Sequence, residues 1–304
     1  MDNLGMRMSP EIWSTIYTGV RGPANGVDSF VRWKFRGIAA PVIVLPKFGV
    51  HSVLFIERLF WYLRPLGLWA SEFCSNRDIT ATPVWTTLDA AGERVAVIDP
   101  LPMTLVPEAL SSGLFAVQRG DRLSAFVSEG RFDYALPASE TETPRFMLGE
   151  EKARIAAASD ILHKFHCDAA IYYSPFLDGL QHLDWPAAAR SLEKSAVPAG
   201  YEQADRTVAM LIEAFGQPAT VMLLSDHGWE YGDYEHFASP MGMYVLAPSQ
   251  SPGPCGYISA CDLEPKMLAI AGVSPRPVAR RFLVERTEDE ERIKRLRALG
   301  YIGR

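Results

Sequence analysis

The chain has 304 residues, nearly half of them hydrophobic, and a formal charge of −6. That length holds one large α/β domain or two modest ones around a well-buried core. Mild acidity with no Lys/Arg block excludes a nucleic-acid polymer as the main partner.

The chain opens on "RMSPEIWSTIYTGVRGPANG". Ser9 as N-cap, Pro10 at the first helical position and Glu11 in the first turn predict a helix entry. Ile12, Trp13 and Ile16 fall at helical spacing, and Gly19 with Gly22-Pro23 beyond it ends the run. Residues 1–10 carry neither the basic start nor the apolar run of a secretory signal. The chain is therefore expected in the cytoplasm if it starts here, and exported if a signal lies upstream.

Residues 37–70 form the most apolar region, broken by Lys47, Glu57, Arg58, Arg64 and three prolines. No apolar run reaches the roughly 18–20 residues of a membrane span. An insert that covers a substrate is expected over 37–75, with contact to a membrane surface through 37–70 as the sharper alternative. A helix through "TPVWTTLDAAG" feeds the strand Arg94–Asp99, one αβ unit of a parallel sheet. Residues 101–148 are mixed, rich in Ser, Pro and Gly, and are expected to be loops with short elements. A second insert is placed at 105–148.

Regularity returns with a helix from about Glu150 to His166, the strand "AAIYYS", a helix through "YEQADRTVAMLIEAFG" and the strand "TVMLLSD". The strand "GMYVLAP", the helix "LEPKMLAIAG" and a charged helix over 285–299 complete the pattern. Continuous apolar strands alternating with helices predict a mainly parallel sheet sandwiched between helices. Cys74, Cys167, Cys255 and Cys261 lack C-x-x-C spacing, so buried thiols are expected, or a Cys255–Cys261 bridge in an exported chain.

Ligands of open α/β sheets bind beyond the carboxyl ends of the strands. There the chain places Asp178 and His182 in "DGLQH", Asp226 and His227 in "SDHG", and His236 in "YEHFASPMG". Each alone has an ordinary explanation: a helical Asp–His pair, an Asx turn, a surface histidine. Together they make a donor set of imidazole and carboxylate suited to Zn²⁺ and similar ions. Two ions held side by side could clamp phosphoryl oxygens during in-line displacement.

The ordered set resembles the alkaline phosphatase superfamily, in particular its type I phosphodiesterase/nucleotide pyrophosphatase branch. Ser9 followed by "PEIWSTIYTG" is similar to the family's nucleophile segment; "DGLQH", "SDHG" and "EHFASPMGMYVLAP" follow in the family's order, and "LRALGYIG" resembles a frequent ending. The resemblance implies that Asp178, His182 and His236 hold one divalent ion, Zn²⁺ by analogy. Asp226 and His227 would hold a second beside Ser9, the nucleophile toward a small-molecule phosphate mono- or diester. It also implies one alkaline phosphatase-like catalytic domain over 1–304.

Three departures qualify the match. The family's further metal-binding Asp sits on a first strand well upstream of the nucleophile, and only eight residues precede Ser9. A chain lacking that strand is the expectation; the alternative is a catalytically impaired relative that acts as a binding protein. Ile12 and Asn25 stand where nucleotide pyrophosphatases and other relatives carry Asn and His-Gly, which weakens the case for a nucleotide substrate.

Overall fold

A computed structural model describes residues 1–2, 6, 8–27, 30–35, 66, 69–101, 107–119, 121–128, 130–138, 142–188, 190–229, 241–247 and 256–282. His236, Cys255, nearly all of the 37–70 insert and the expected helix over 285–299 lie outside them.

Helix α1 spans Ser9–Thr18, with Met8 as its extended N-cap. Ser9 is thus the first helical residue and not the cap that the sequence predicts, and Pro10 is the second. The buried hydroxyls of Ser14, Thr15 and Thr18 donate back to carbonyls of the preceding turn at 2.7–3.0 Å, which satisfies them inside the core. Gly19 closes the helix at φ +67°, its N–H donating to Thr15 O. A short turn, α2 (Gly22–Asn25), follows. The antiparallel ribbon of β1 (Val31–Phe35) and β2 (Trp69–Phe73) then pairs Phe35 with Trp69, bringing the two ends of the expected insert together.

Helix α3 (Val84–Ala91) leads into β3 (Val95–Ile98), within the predicted Arg94–Asp99 strand. All four β3 residues are fully buried. Covering Val95, Val97 and Ile98 stabilises the fold by roughly 1.5–3 kcal/mol each. Val95 and Val97 face a core built with α1, α3 and α7 (Leu263–Ile270), whereas Ala96 and Ile98 face one built with α4 (Pro144–Phe165) and α6 (Val197–Phe215). The strand is therefore covered by helices on both sides, as its unbroken apolar run requires.

The segment 101–148, expected as loops with short elements, builds part of the sheet. It contains the strands β4 (Leu114–Arg119), β5 (Arg122–Val127) and β6 (Gly130–Ala135), an antiparallel meander that extends the sheet. With β7 (Ala169–Tyr172), the five-stranded order is β6-β5-β4-β3-β7, and only β4, β3 and β7 run parallel. Helix α4 also begins earlier than the sequence indicates, because Thr143 Oγ1 accepts a hydrogen bond from Phe146 N and caps it.

β8 (Val221–Leu224) and β9 (Tyr244–Ala247) form a separate antiparallel pair. Among the described residues they do not join the five-stranded sheet. The fold is mixed α/β. Cys74 and Cys167 are buried thiols and Cys261 is a half-buried one. No helix among the described residues is long and apolar enough to cross a membrane.

Candidate functional site

The chain leaves β7 through Tyr173, Ser174 and Pro175 and enters α5 (Phe176–Ala188), with Ser174 Oγ accepting from Phe176 N at 3.2 Å. Asp178 lies in the first turn of α5, and His182 follows one turn later on the same face. Beyond β8, Ser225 Oγ donates to His227 O at 2.6 Å and folds the "SDHG" segment back on itself. Ser225 also exchanges two main-chain hydrogen bonds with Met243, so Gly242 lies against this turn. A Cβ at Gly242 would stand 1.9 Å from Ser225 O, so only glycine fits.

These two elements meet. Asp178 Oδ1 lies 3.7 Å from His182 Nε2 and 3.8 Å from His227 Nε2, and Asp226 Oδ2 lies 3.6 Å from His227 Nε2. Asp226 is buried, and its Oδ2 accepts no hydrogen bond among the described residues. Four of the five metal-ligand residues named from the sequence therefore form one chain of contacts. His236 lies outside the described residues.

Electrostatics at this cluster reflect two carboxylates crowded in a poorly solvated place. Burial pushes the Asp178 carboxyl up to about 7; the His227 ring opposes this and the Asp226 carboxylate adds to it. Burial, and then His227, push the His182 ring down to about 4, so it is neutral at pH 7. Burial also disfavours a charged His227. The Asp226 and Asp178 carboxylates and the Gly228 carbonyl outweigh it and leave the ring above its ordinary value. His227 Nδ1 lies 3.1 Å from Gly228 O, an acceptor only, so Nδ1 carries a proton. In the neutral ring, Nε2 then presents its lone pair to the carboxylates, the tautomer that ligates metals.

The donor set suits a divalent cation. Ligands at ~2.0–2.2 Å from a tetrahedral Zn²⁺ stand roughly 3.3–3.6 Å from one another. The observed gaps of 3.6–3.8 Å are too long for hydrogen bonds and close to that spacing. Among the described residues no group of three or more such side chains forms a ready-made cage, so ligation would require the donors to draw in by a few tenths of an ångström.

Ser9 is buried at the start of α1, and among the described residues nothing hydrogen-bonds its hydroxyl. Its helix faces the strand ends that carry the cluster: the Trp13 ring packs edge-on against Tyr173 at 5.2 Å, and the Tyr17 hydroxyl lies within the field of Asp226. Met1 exchanges both main-chain hydrogen bonds with Gly242. The chain leading to Ser9 is thereby moored beside the "SDHG" turn.

The aromatic wall of the site carries no mark in the sequence. The His182 ring stands edge-on to Trp229 at 4.8 Å, and Trp185 packs on Trp229 at 5.5 Å. Trp229 lies two residues after His227 and Trp185 three after His182. That proximity is the available signal, and aromatic residues near a turn are too common for it to decide anything. The chain matches no protein-family profile, no characterised protein and no solved structure.

Proposed function

We propose that the chain is a metal-dependent phosphoester hydrolase of the alkaline phosphatase kind, its type I phosphodiesterase/nucleotide pyrophosphatase branch. Asp178, His182 and His236 hold one divalent ion, Asp226 and His227 contribute to a second, and Ser9 is the nucleophile. The observation that carries this reading is the meeting of Asp178 and His182 on α5 with Asp226 and His227 beyond β8. Bound divalent ions supply Lewis acidity that offsets charge on the phosphoryl oxygens and makes a nearby hydroxyl easier to deprotonate.

The protein's own groups do the rest. The first turn of α1 offers main-chain N–H groups and the positive end of a helix dipole to an anionic phosphoryl group beside Ser9. Ser9 Oγ bonds to phosphorus as the ester P–O bond breaks, and the departing alcohol takes up a proton. Water then cleaves the phosphoserine, releasing phosphate or a monoester and restoring the Ser9 hydroxyl. The Trp185–Trp229 wall gives an apolar leaving group a surface on which to stack.

The test is hydrolysis of bis(p-nitrophenyl) phosphate by Zn²⁺-loaded protein, with bound zinc counted by mass spectrometry. Hydrolysis that disappears in Ser9→Ala, together with zinc lost in Asp178→Asn, is expected. A loaded protein that turns over no ester, or zinc content unaffected by Asp178→Asn, overturns the reading and favours a binding protein.

A further inference from the structure

β6 ends the five-stranded sheet on one side, and among the described residues nothing pairs with its outer edge. Which of its peptide groups face that edge follows from the alternation of an antiparallel ladder. Leu136 N donates to Asp121 O at 2.7 Å, one step beyond the Arg122–Ala135 pair of the β5–β6 register. Counting back by twos, Tyr134, Phe132 and Gly130 bond β5. The N–H and C=O groups of Arg131 and Asp133 therefore point outward.

The side chains along this edge complement themselves. Arg131 and Asp133 share one face of the sheet, 2.7 Å apart, and their side chains are 47% and 40% exposed. Ser124 Oγ on β5 donates to the Asp133 carboxylate at 2.6 Å and accepts from Arg131 Nη2 at 3.1 Å, which holds both charges in place. Phe132 lies between them on the opposite face, beside Ala125 and the core that α4 covers, yet it is 52% exposed. We propose that a second copy of this chain docks here. β6 pairs with β6 of the partner in antiparallel sense, about a two-fold axis through Phe132 that joins the two sheets into one.

Alternation and charge together select that register. Outward peptide groups bond only to outward ones, so the axis passes through a residue. With the axis at Phe132, Arg131 of one protomer opposes Asp133 of its partner and exchanges both main-chain bonds with it. Phe132 meets its own copy in the closer, non-hydrogen-bonded kind of pair, with Cα atoms about 4.5 Å apart. Gly130 faces Tyr134, whose ring takes the room a glycine leaves. An axis at Arg131 or at Asp133 sets that residue against its own like charge. Lysines guard strand edges because each copy repels the other. An Arg-x-Asp edge instead attracts its copy. The contact is isologous, as a closed homodimer requires. It spans Gly130–Tyr134, about 17 Å, and so belongs with the small, readily reversible interfaces.

Sedimentation velocity of the full chain from about 1 μM to about 500 μM tests the proposal, and a reversible monomer–dimer equilibrium is expected. Asp133→Arg and Arg131→Asp each place like charges across the axis and are expected to weaken the dimer roughly tenfold or more. The double exchange, Arg131→Asp with Asp133→Arg, recreates opposite charges at every pair and is expected to recover the dimer. An equimolar mixture of the two single variants is expected to form a heterodimer, although neither dimerises well alone. Amide exchange at Arg131 and Asp133 is expected to slow as the dimer fills. Every substituted side chain is exposed, so the fold is kept. A chain monomeric throughout, single variants that dimerise like the parent, a double exchange or a mixture that stays monomeric, or a dimer without protection at Arg131 and Asp133 each overturns the proposal.

Discussion

β3 and β8 are the same kind of sequence placed in different surroundings. "VAVI" and "VMLL" are both four-residue apolar runs followed directly or after one residue by an aspartate. β3 has a strand on each side and is wholly buried, whereas among the described residues β8 has one partner, and Leu223 is 38% exposed. The aspartates differ in the same sense. Asp99, at φ +50°, receives a 2.8 Å hydrogen bond from the buried Arg154 guanidinium, which also bonds Gln118. Asp226, by contrast, has among the described residues the 3.6 Å approach of His227 and no arginine against it. A carboxylate closed off by an arginine is architecture, while one facing a histidine ring and a second carboxylate has the surroundings of a cation ligand. Under the proposed function, that difference assigns the chemistry to the β8 end of the molecule.

The largest expected effect tests that placement. Ser9→Ala and Asp178→Asn are each expected to lower phosphodiesterase turnover by ~10³-fold or more. Arg154→Met is expected to leave the metal content of the folded protein as it was. Retained turnover in either of the first two variants would move the chemistry elsewhere.

On stability the order reverses. Arg154→Met strands Asp99 in the core and is expected to cost about 3–5 kcal/mol in urea unfolding. Asp226→Asn removes one of two crowded carboxylates and is expected to be neutral or to stabilise the metal-free protein by up to ~1 kcal/mol. An Asp226→Asn loss as large as that of Arg154→Met would mean that both aspartates are architecture. The strands themselves give the next step down. Ile98→Ala opens a cavity in a full core and is expected to cost about 2–5 kcal/mol, while Leu223→Ala, half in water, costs under ~1 kcal/mol.

What the sequence disclosed follows from the same contrast. β3, β7 and β8 were legible because strands meant to be covered on both faces are unbroken apolar runs. The meander β4–β6 was not, since Arg122, Arg131 and Asp133 interrupt the pattern; β6 is largely exposed. The gap between β7 and β8 was illegible for a different reason: residue types say that a strand wants neighbours and not whether it has them. At the site, the meeting of Asp178, His182, Asp226 and His227 was foreshadowed because imidazole and carboxylate recur after successive strand ends. Trp229 and Trp185 carry no such mark.

The smallest effect concerns two helix starts that the sequence presents in reverse. Ser9-Pro10-Glu11 has the composition of a capped entry, yet Met8 holds the N-cap position and the Ser9 hydroxyl caps nothing. Thr143-Pro144 sits in a stretch with no evident periodicity, yet Thr143 Oγ1 holds Phe146 N at 3.1 Å and starts a 22-residue helix. Thr143→Ala is therefore expected to cost about 1 kcal/mol with turnover unchanged. Ser9→Ala should lie within ~0.5 kcal/mol of the parent while abolishing turnover. Urea unfolding of the two variants side by side separates the roles. A Ser9→Ala cost equal to that of Thr143→Ala would show that the hydroxyl is holding the helix, and a serine committed to a helix start is a poor nucleophile.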